Sequence, residues 1–149
     1  MKNTKGIKIL IIDGQGGGLG KNLISRIKKE EAFSACEIIA VGTNSIATSA
    51  MLKAGANYGA TGENAVIYNC QYADIVLGAI GIAFANSMFG EISPKMAAAV
   101  SESSAYKLLV PISKCNVGVA GVSEKPMLHY IDDLISELYK FCAFSFKNS

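Results

Sequence analysis

Two kinds of hydrophobic pattern alternate along this chain. Short runs such as IKILII (residues 7–12) and CEIIAVG (36–42) are almost wholly apolar and rich in β-branched residues, which is typical of strands covered on both faces. The stretch between them repeats apolar residues every three or four positions, which predicts a helix with one buried face. The apolar positions of this helix are Leu19, Leu23, Ile24 and Ile27.

The same alternation continues to the end of the chain. Further strands are predicted at NAVIYN (64–69), ADIVLGAIG (73–81) and YKLLVPI (106–112), with NVGVAGV (116–122) as the candidate for a sixth. Helices are predicted from the capping residues Thr43, Asn44 and Ser45 to Gly55, across the apolar segment 81–90, after Ser93-Pro94 and from Pro126. The last helix is expected to turn five apolar residues inward: Met127, Ile131, Leu134, Ile135 and Leu138.

Strands that alternate with helices and are apolar on both faces predict a parallel α/β sheet. We expect one Rossmann-like, three-layer domain over residues 1–149, with a mainly parallel sheet of five or six strands. In such sheets ligands bind beyond the carboxyl ends of the strands, where the strand order reverses. These ends are rich in small and polar residues here, in DGQGGGLG, GTNS, GAIG and PISKCN, so we expect the backbone there to approach a ligand.

The segment after the first predicted strand holds five glycines in seven positions, from Gly14 to Gly20. Glycine loses more conformational freedom on folding than any other residue, so this cluster needs a reason. The spacing of Gly14, Gly18 and Gly20 is similar to the cofactor turn of short-chain dehydrogenases, with a strand before it and an amphipathic helix after it. We expect its N–H groups and the helix dipole to bind the phosphates of a nucleotide or dinucleotide. A tight structural turn is the alternative.

The candidate binding residues lie in three segments. They are Asp13, Gly14, Gln15, Gly16, Gly17, Gly18, Leu19 and Gly20, then Thr43, Asn44 and Ser45, then Gly78 and Gly81. Dinucleotide-binding folds hold the adenosine ribose with an acidic residue at the end of the second strand, and this sequence has none there. NADP, or a bare phosphorylated metabolite, is therefore expected to bind better than NAD, and Asn44→Asp to shift the preference toward NAD. Asp13 would repel phosphates unless it caps loop N–H groups or holds Mg²⁺.

Other phosphate and cofactor motifs match this loop less well. GGLGK (17–21) resembles the deviant Walker loop of ParA-type ATPases, but Gly16 replaces its lysine and Asn22 replaces its Mg²⁺-binding hydroxyl. Asp13-x-Gln15-x-x-Gly18 resembles a cobalamin-binding pattern, with Gln15 in place of the cobalt-ligating histidine. None of the six tyrosines has a lysine four residues later, so the catalytic pair of short-chain dehydrogenases is missing.

Three functions therefore stay open. The first is a sensor or adaptor that binds NADP or NAD, the second a small oxidoreductase-like enzyme on the same site, and the third a deviant P-loop protein. Glu91 and Lys95 are the candidate acid and base, and Cys115 is a thiol that could face the ligand. Asn86 and Ser87 interrupt an apolar segment and need polar partners. We expect His129 on the solvent side of the last helix.

The composition is that of an apolar-rich globule. Half of the residues are hydrophobic, 17% are charged and the formal net charge is +2. The basic residues are scattered, which argues against nucleic acid as a partner, and no stretch has the pattern of a signal peptide or a membrane span. The four cysteines lack metal-binding or thioredoxin-type spacing. We expect a cytoplasmic protein with free thiols that forms a homodimer or larger homo-oligomer through the apolar stretch from Ile75 to Phe89.

Six strings of this sequence together resemble one family. They are IDGQGGGLGK, GTNSIATSAMLKAGA, GATGENAV, ADIVLGAIGIAFANSM, GEISPKM and CNVGVAGV, and they resemble a domain-of-unknown-function family of small, Rossmann-like proteins, mostly from anaerobic Firmicutes. The resemblance covers nearly everything from residue 7 to about 140. It implies a Rossmann-like fold and a bacterial cytoplasmic setting, and it brings no known activity or catalytic residues.

Overall fold

One sheet of five parallel strands forms the centre of the computed structural model, which describes residues 6–112 and 116–147. The strands are β1 (Lys8–Asp13), β2 (Glu37–Gly42), β3 (Tyr58–Thr61), β4 (Ile75–Ala79) and β5 (Tyr106–Val110). Their spatial order is β3-β2-β1-β4-β5. The order reverses between β1 and β4, so the loops after these two strands meet at the place where α/β sheets bind ligands. The predicted Rossmann-like fold is confirmed.

Five α-helices cover the two faces of this sheet within the described residues. They are α1 (Gly18–Lys28), α2 (Ser45–Lys53), α3 (Glu63–Cys70), α4 (Pro94–Glu102) and α5 (Met127–Lys147). The helix α1 packs against both α2 and α5, whereas α3 packs against α4. Right-handed crossovers put these two groups on opposite faces of the sheet. Short 3₁₀ helices lie at Glu31–Phe33 and Ile80–Ala83. No described helix is both long and apolar enough to span a membrane.

The core lies between the sheet and these helices, where the hydrophobic pattern placed it. Every residue of β4 is buried, as is β1 from Ile9 onward. Leu23, Ile24 and Ile27 of α1 are fully buried, which confirms the helical stripe, and each such side chain stabilises the fold by roughly 1.5–3 kcal/mol. In α5, Met127 is partly buried, and the other four predicted inward residues, Ile131, Leu134, Ile135 and Leu138, are buried.

The prediction of a strand at residues 64–69 was wrong. NAVIYN lies in α3, which begins after Gly62 (φ 100°) and buries Val66 and Cys70 on one side. Those two residues are four apart, which is helical spacing. The strand of this part of the chain is β3 (YGAT), which is short and mostly exposed and so shows no apolar run in the sequence.

Two further predictions differ from the structure. Residues 116–122 form no strand, and the segment 81–90 is not a helix, because the 3₁₀ helix Ile80–Ala83 gives way to consecutive turns. Most large apolar residues between Ile75 and Phe89 are buried in the core, with Phe84 and Phe89 as the exposed ones. That stretch is therefore not a continuous surface patch. The candidate Cys115 lies outside the described residues.

Candidate functional site

Asp13 fills the inside of the glycine loop. It is the last residue of β1 and only 5% exposed, and its two carboxylate oxygens accept hydrogen bonds from Gly14 N at 2.8 Å and Gly20 N at 2.7 Å. Burial raises the pKa of Asp13 above its ordinary value, and the charge of Glu91 raises it further, whereas the backbone hydrogen bonds lower it. The carboxylate thus caps loop N–H groups. A phosphate wrapped inside the loop would need this space, which argues against the deviant P-loop alternative.

Three of the five loop glycines are explained by packing. Gly17 has φ 75°, and a Cβ there would lie 2.9 Å from Ala47 Cα. A Cβ on Gly20 would lie 2.5 Å from Met51 Sδ, and one on Gly14 would lie 2.8 Å from Thr43 Oγ1. These contacts are shorter than side chains tolerate. At Gly17 the neighbours are backbone atoms of α2, so glycine is required there, whereas at Gly14 and Gly20 the side chains of Thr43 and Met51 would have to shift to admit a Cβ.

Gly16 and Gly18 are not explained in this way. Both are exposed, neither has a left-handed φ, and a Cβ added to either would meet nothing within 4 Å. Within the described residues their N–H groups donate to no protein acceptor, and Gly18 is the first residue of α1, where backbone donors lack a helical partner. The outer side of the loop is thus bare backbone with free donors at the positive end of a helix dipole.

The loop after β2 is tied to the glycine loop. Thr43 N donates to Asp13 O at 2.9 Å. The Asn44 side chain caps α2, because its Oδ1 accepts from Ala47 N at 2.9 Å, and its Nδ2 donates to Gln15 O at 2.9 Å. Asn44 therefore confirms the predicted N-cap and also joins two loops at the carboxyl edge of the sheet.

Glu91 lies where these two loops meet. Its Oε2 accepts from Gln15 N at 2.8 Å, and its Oε1 accepts from Asn44 Nδ2 at 2.8 Å and from Thr43 Oγ1 at 3.1 Å. Three donors from two different loops thus converge on one carboxylate. The sequence offered Glu91 only as an acid or base, because it is 76 residues from Gln15 and no spacing rule links them.

A closed turn of residues 86–92 holds Glu91 in place. Asn86, Met88 and Phe89 have left-handed φ values of 67°, 57° and 56°, which non-glycine residues adopt only when the surroundings impose them. Ser87 is fully buried and donates its hydroxyl hydrogen to the Gly81 carbonyl. The polar residues Asn86 and Ser87 therefore shape a turn rather than interrupt a helix.

The remaining candidates lie apart from this meeting point. Gly78 is buried in β4, where a Cβ would lie 2.8 Å from Ile12 O, and Gly81 is buried in the turn after it. Leu19 is a core residue, 7% exposed. Ser45 is the exposed first residue of α2. Packing explains Gly78 and Leu19, whereas Ser45 follows the capping residue Asn44 and is open to solvent.

Ser45 lies in a groove between α1 and α2. The groove has a volume of about 790 Å³ and carries two lysines and four side chains with hydroxyl or amide groups, namely Lys21, Lys53, Asn22, Ser25, Ser45 and Ser49. Lys21 is in the first turn of α1, directly after the glycine loop. The groove therefore begins with the positive charge of Lys21, next to the end of the glycine loop.

The structure does not assemble an acid–base pair from Glu91 and Lys95. Lys95 is in the first turn of α4 and lines a cavity between α3 and α4 together with Cys70 and Glu102, whereas Glu91 turns toward the glycine loop. His129 is exposed, as expected. Within the described residues, no three His, Cys, Asp or Glu side chains are grouped to hold a metal ion.

Comparisons with known proteins give one family match and one similar solved structure. No curated protein matches the chain. A solved structure described as a dodecameric FMN-dependent UbiX-like decarboxylase from Escherichia coli O157:H7 is similar at 14% identity and a TM-score of 0.41, over 89% of this chain and 75% of that one. The model of a family described as a domain of unknown function, DUF3842, matches residues 8–143. The chain belongs to this family.

Proposed function

We propose that the chain binds a phosphorylated ligand of the nucleotide class, with NAD and NADP as the candidate cofactors, at the carboxyl edge of its sheet. The observation that carries the proposal is the bare outer side of the glycine loop. Packing disfavours any side chain at Gly14, Gly17 and Gly20, most strictly at Gly17, but leaves open space at Gly16 and Gly18. A ligand that touches the backbone would require glycine at both.

The chemistry of this surface suits phosphate. Free N–H groups at a helix N-terminus attract anions through direct hydrogen bonds and through the helix dipole. Lys21, which directly follows the loop in α1 and lines the neighbouring groove, adds a positive charge. The Asp13 carboxylate is on the inside of the loop, where its hydrogen bonds to Gly14 and Gly20 orient the chain. The phosphate is therefore proposed to lie outside the loop rather than within it.

Binding, as in a sensor or adaptor, is the function that this geometry supports. Among the described residues the Glu91 carboxylate bonds the glycine loop and the loop after β2, whereas Lys95 lines the cavity between α3 and α4, and Asp13 is committed to loop N–H groups. Within residues 6–112 and 116–147, this edge does not pair the candidate acid with the candidate base for a reaction on the bound ligand.

Gly18→Val is expected to weaken nucleotide binding at least about tenfold, which corresponds to about 1.4 kcal/mol. The branched side chain would stand in the open space beside the free N–H groups and keep phosphate away from them. The fold should persist, because an added Cβ meets nothing and the position does not need a left-handed φ. Isothermal titration calorimetry with NAD, NADP and ADP measures the effect.

Ala98→Val is the matched control for this test. It adds the same branched side chain to an exposed position of α4, on the other face of the sheet, and should bind as the parent does. The proposal fails if the parent protein binds none of the three nucleotides, or if Gly18→Val binds them as tightly as Ala98→Val.

We also expect the chain to form a homo-oligomer. Large aromatic side chains are exposed at the end of α5 and the start of β5, where Tyr106 stacks on Phe141 at 5.4 Å and Phe144 is 68% exposed. Contiguous exposed apolar surface usually marks an interface. Light scattering should give a mass of at least twice the monomer mass of 15.7 kDa. A monomer at working concentration would contradict this expectation.

A further inference from the structure

The Glu91 carboxylate lies beside the end of β2, although no acidic residue directly follows β2 in the sequence. In dinucleotide-binding folds an acidic residue near the end of the second strand bonds the ribose hydroxyls, and β2 of this chain ends in Gly42, followed by Thr43 and Asn44. The structure places Glu91 Oε1 at 2.8 Å from Asn44 Nδ2 and 3.1 Å from Thr43 Oγ1. The carboxylate comes from the loop after β4 instead.

We propose that Glu91 accepts a hydrogen bond from the ribose of the bound nucleotide and selects a ligand with a free 2′-hydroxyl over a 2′-phosphorylated one. This inference rests on the proposed nucleotide binding. An ionised carboxylate accepts about four hydrogen bonds, and Glu91 accepts three from the protein. It keeps capacity for a ligand hydroxyl, whereas a phosphate at the same place meets like charge.

The protein donors at this point are already directed at Glu91. Thr43 Oγ1 and Asn44 Nδ2 both donate to its Oε1, so they do not present their hydrogens to a 2′-phosphate. The expectation from sequence that NADP binds better than NAD rested on the absence of a carboxylate beside Thr43, Asn44 and Ser45. Because the Glu91 carboxylate bonds Thr43 and Asn44, the expected preference reverses.

The position of Glu91 is fixed from both sides. Gln15 N holds its Oε2 at 2.8 Å. On its other side, the 86–92 turn is closed by hydrogen bonds from Asn86 N to Ile92 O at 2.7 Å and from Ile92 N to Ser87 O at 3.2 Å, and both Ser87 and Ile92 are fully buried. A carboxylate held this way loses little freedom when a ligand binds, which favours a selective contact.

Asn44→Asp is not a clean test of ribose selectivity. The new carboxylate would face Glu91 Oε1, to which the Asn44 amide now donates at 2.8 Å, and would also lose the bond to Gln15 O. Repulsion between the two carboxylates would disturb both loops. Glu91→Gln removes the charge at constant size and keeps one carbonyl oxygen as an acceptor.

Calorimetric titration of the parent protein, Glu91→Gln and Glu102→Gln with NAD and NADP tests the proposal. The parent should bind NAD at least about tenfold more tightly than NADP, as expected for a charged hydrogen bond replaced by repulsion. In Glu91→Gln the ratio should fall to about threefold or less. Glu102→Gln removes an exposed carboxylate from α4 and should leave the ratio unchanged.

The outcomes separate the two proposals. If the parent binds NADP as tightly as NAD or more tightly, or if Glu91→Gln keeps the parent's ratio, the ribose assignment is overturned while nucleotide binding stands. If the parent binds neither dinucleotide, both proposals fall. The ratio in the parent protein alone tests the assignment even if Glu91→Gln does not fold.

Discussion

Gly17→Val is expected to destabilise the fold by about 3–5 kcal/mol, whereas Gly16→Val should change its stability by less than about 1 kcal/mol. Valine at position 17 would have to adopt φ 75° and would place its Cβ 2.9 Å from Ala47 Cα and 3.0 Å from Ala47 O. Those are backbone atoms of α2, so the helix itself would have to move. At position 16 the same side chain meets only open space.

Urea denaturation of the two variants beside the parent measures this difference. The pair is well matched because the residues are neighbours in the same loop and receive the same side chain. Equal losses in stability would mean that the whole loop is a structural turn. Gly16 and Gly18 would then no longer point to a ligand.

Asp13→Ala is expected to lower the free energy of unfolding by about 2–4 kcal/mol. The carboxylate holds Gly14 N and Gly20 N, and its removal leaves two buried donors without partners. Asp74→Ala is the control, because Asp74 also accepts a backbone hydrogen bond, from Lys8 N at 2.7 Å, but does so at the exposed surface. Water can replace that bond, so a smaller loss is expected. Equal losses in the two variants would contradict the bracing role of Asp13.

The Asp13 effect should also depend on pH. Its pKa is raised in the folded protein, chiefly by burial, above the ordinary value of 3.8, so the folded state binds this proton more tightly than the unfolded state. The resulting stability is fully present below pH 3.8 and is lost as the pH rises through the folded pKa. The difference between the parent and Asp13→Ala should therefore be largest in acid and shrink toward neutrality. A difference that grows over this range would contradict the burial of the charge.

Most of the fold could be predicted because it is set by local patterns. Buried strands such as β1 and β4 are continuous apolar runs, and the stripes of α1 and α5 have helical spacing. The failures occurred where that local signal is absent or where tertiary packing overrides it. The strand β3 is mostly exposed and contains Gly59. The helix α3 includes three residues with high β-propensity, Val66, Ile67 and Tyr68, and is fixed by its packing against α4.

The candidate site could be predicted only in part. Glycine spacing located the loop. It did not show that Gly17 and Gly20 pack against α2 while Gly16 and Gly18 have open space beside them. This difference depends on how closely α2 approaches each glycine, which spacing does not reveal. The position of Glu91 depends on a turn with three left-handed non-glycine residues. Such a backbone is imposed by tertiary contacts, which no local pattern encodes.

Titration of ¹⁵N-glycine-labelled protein with NAD, followed by amide NMR, tests the central claim most directly. If phosphate binds the outer side of the loop, the amide signals of Gly16 and Gly18 should move most. Gly6, which precedes β1 at the opposite edge of the sheet, should stay in place. Unchanged Gly16 and Gly18 signals at saturating NAD, or shifts confined to glycines outside the 14–20 loop, would contradict the account.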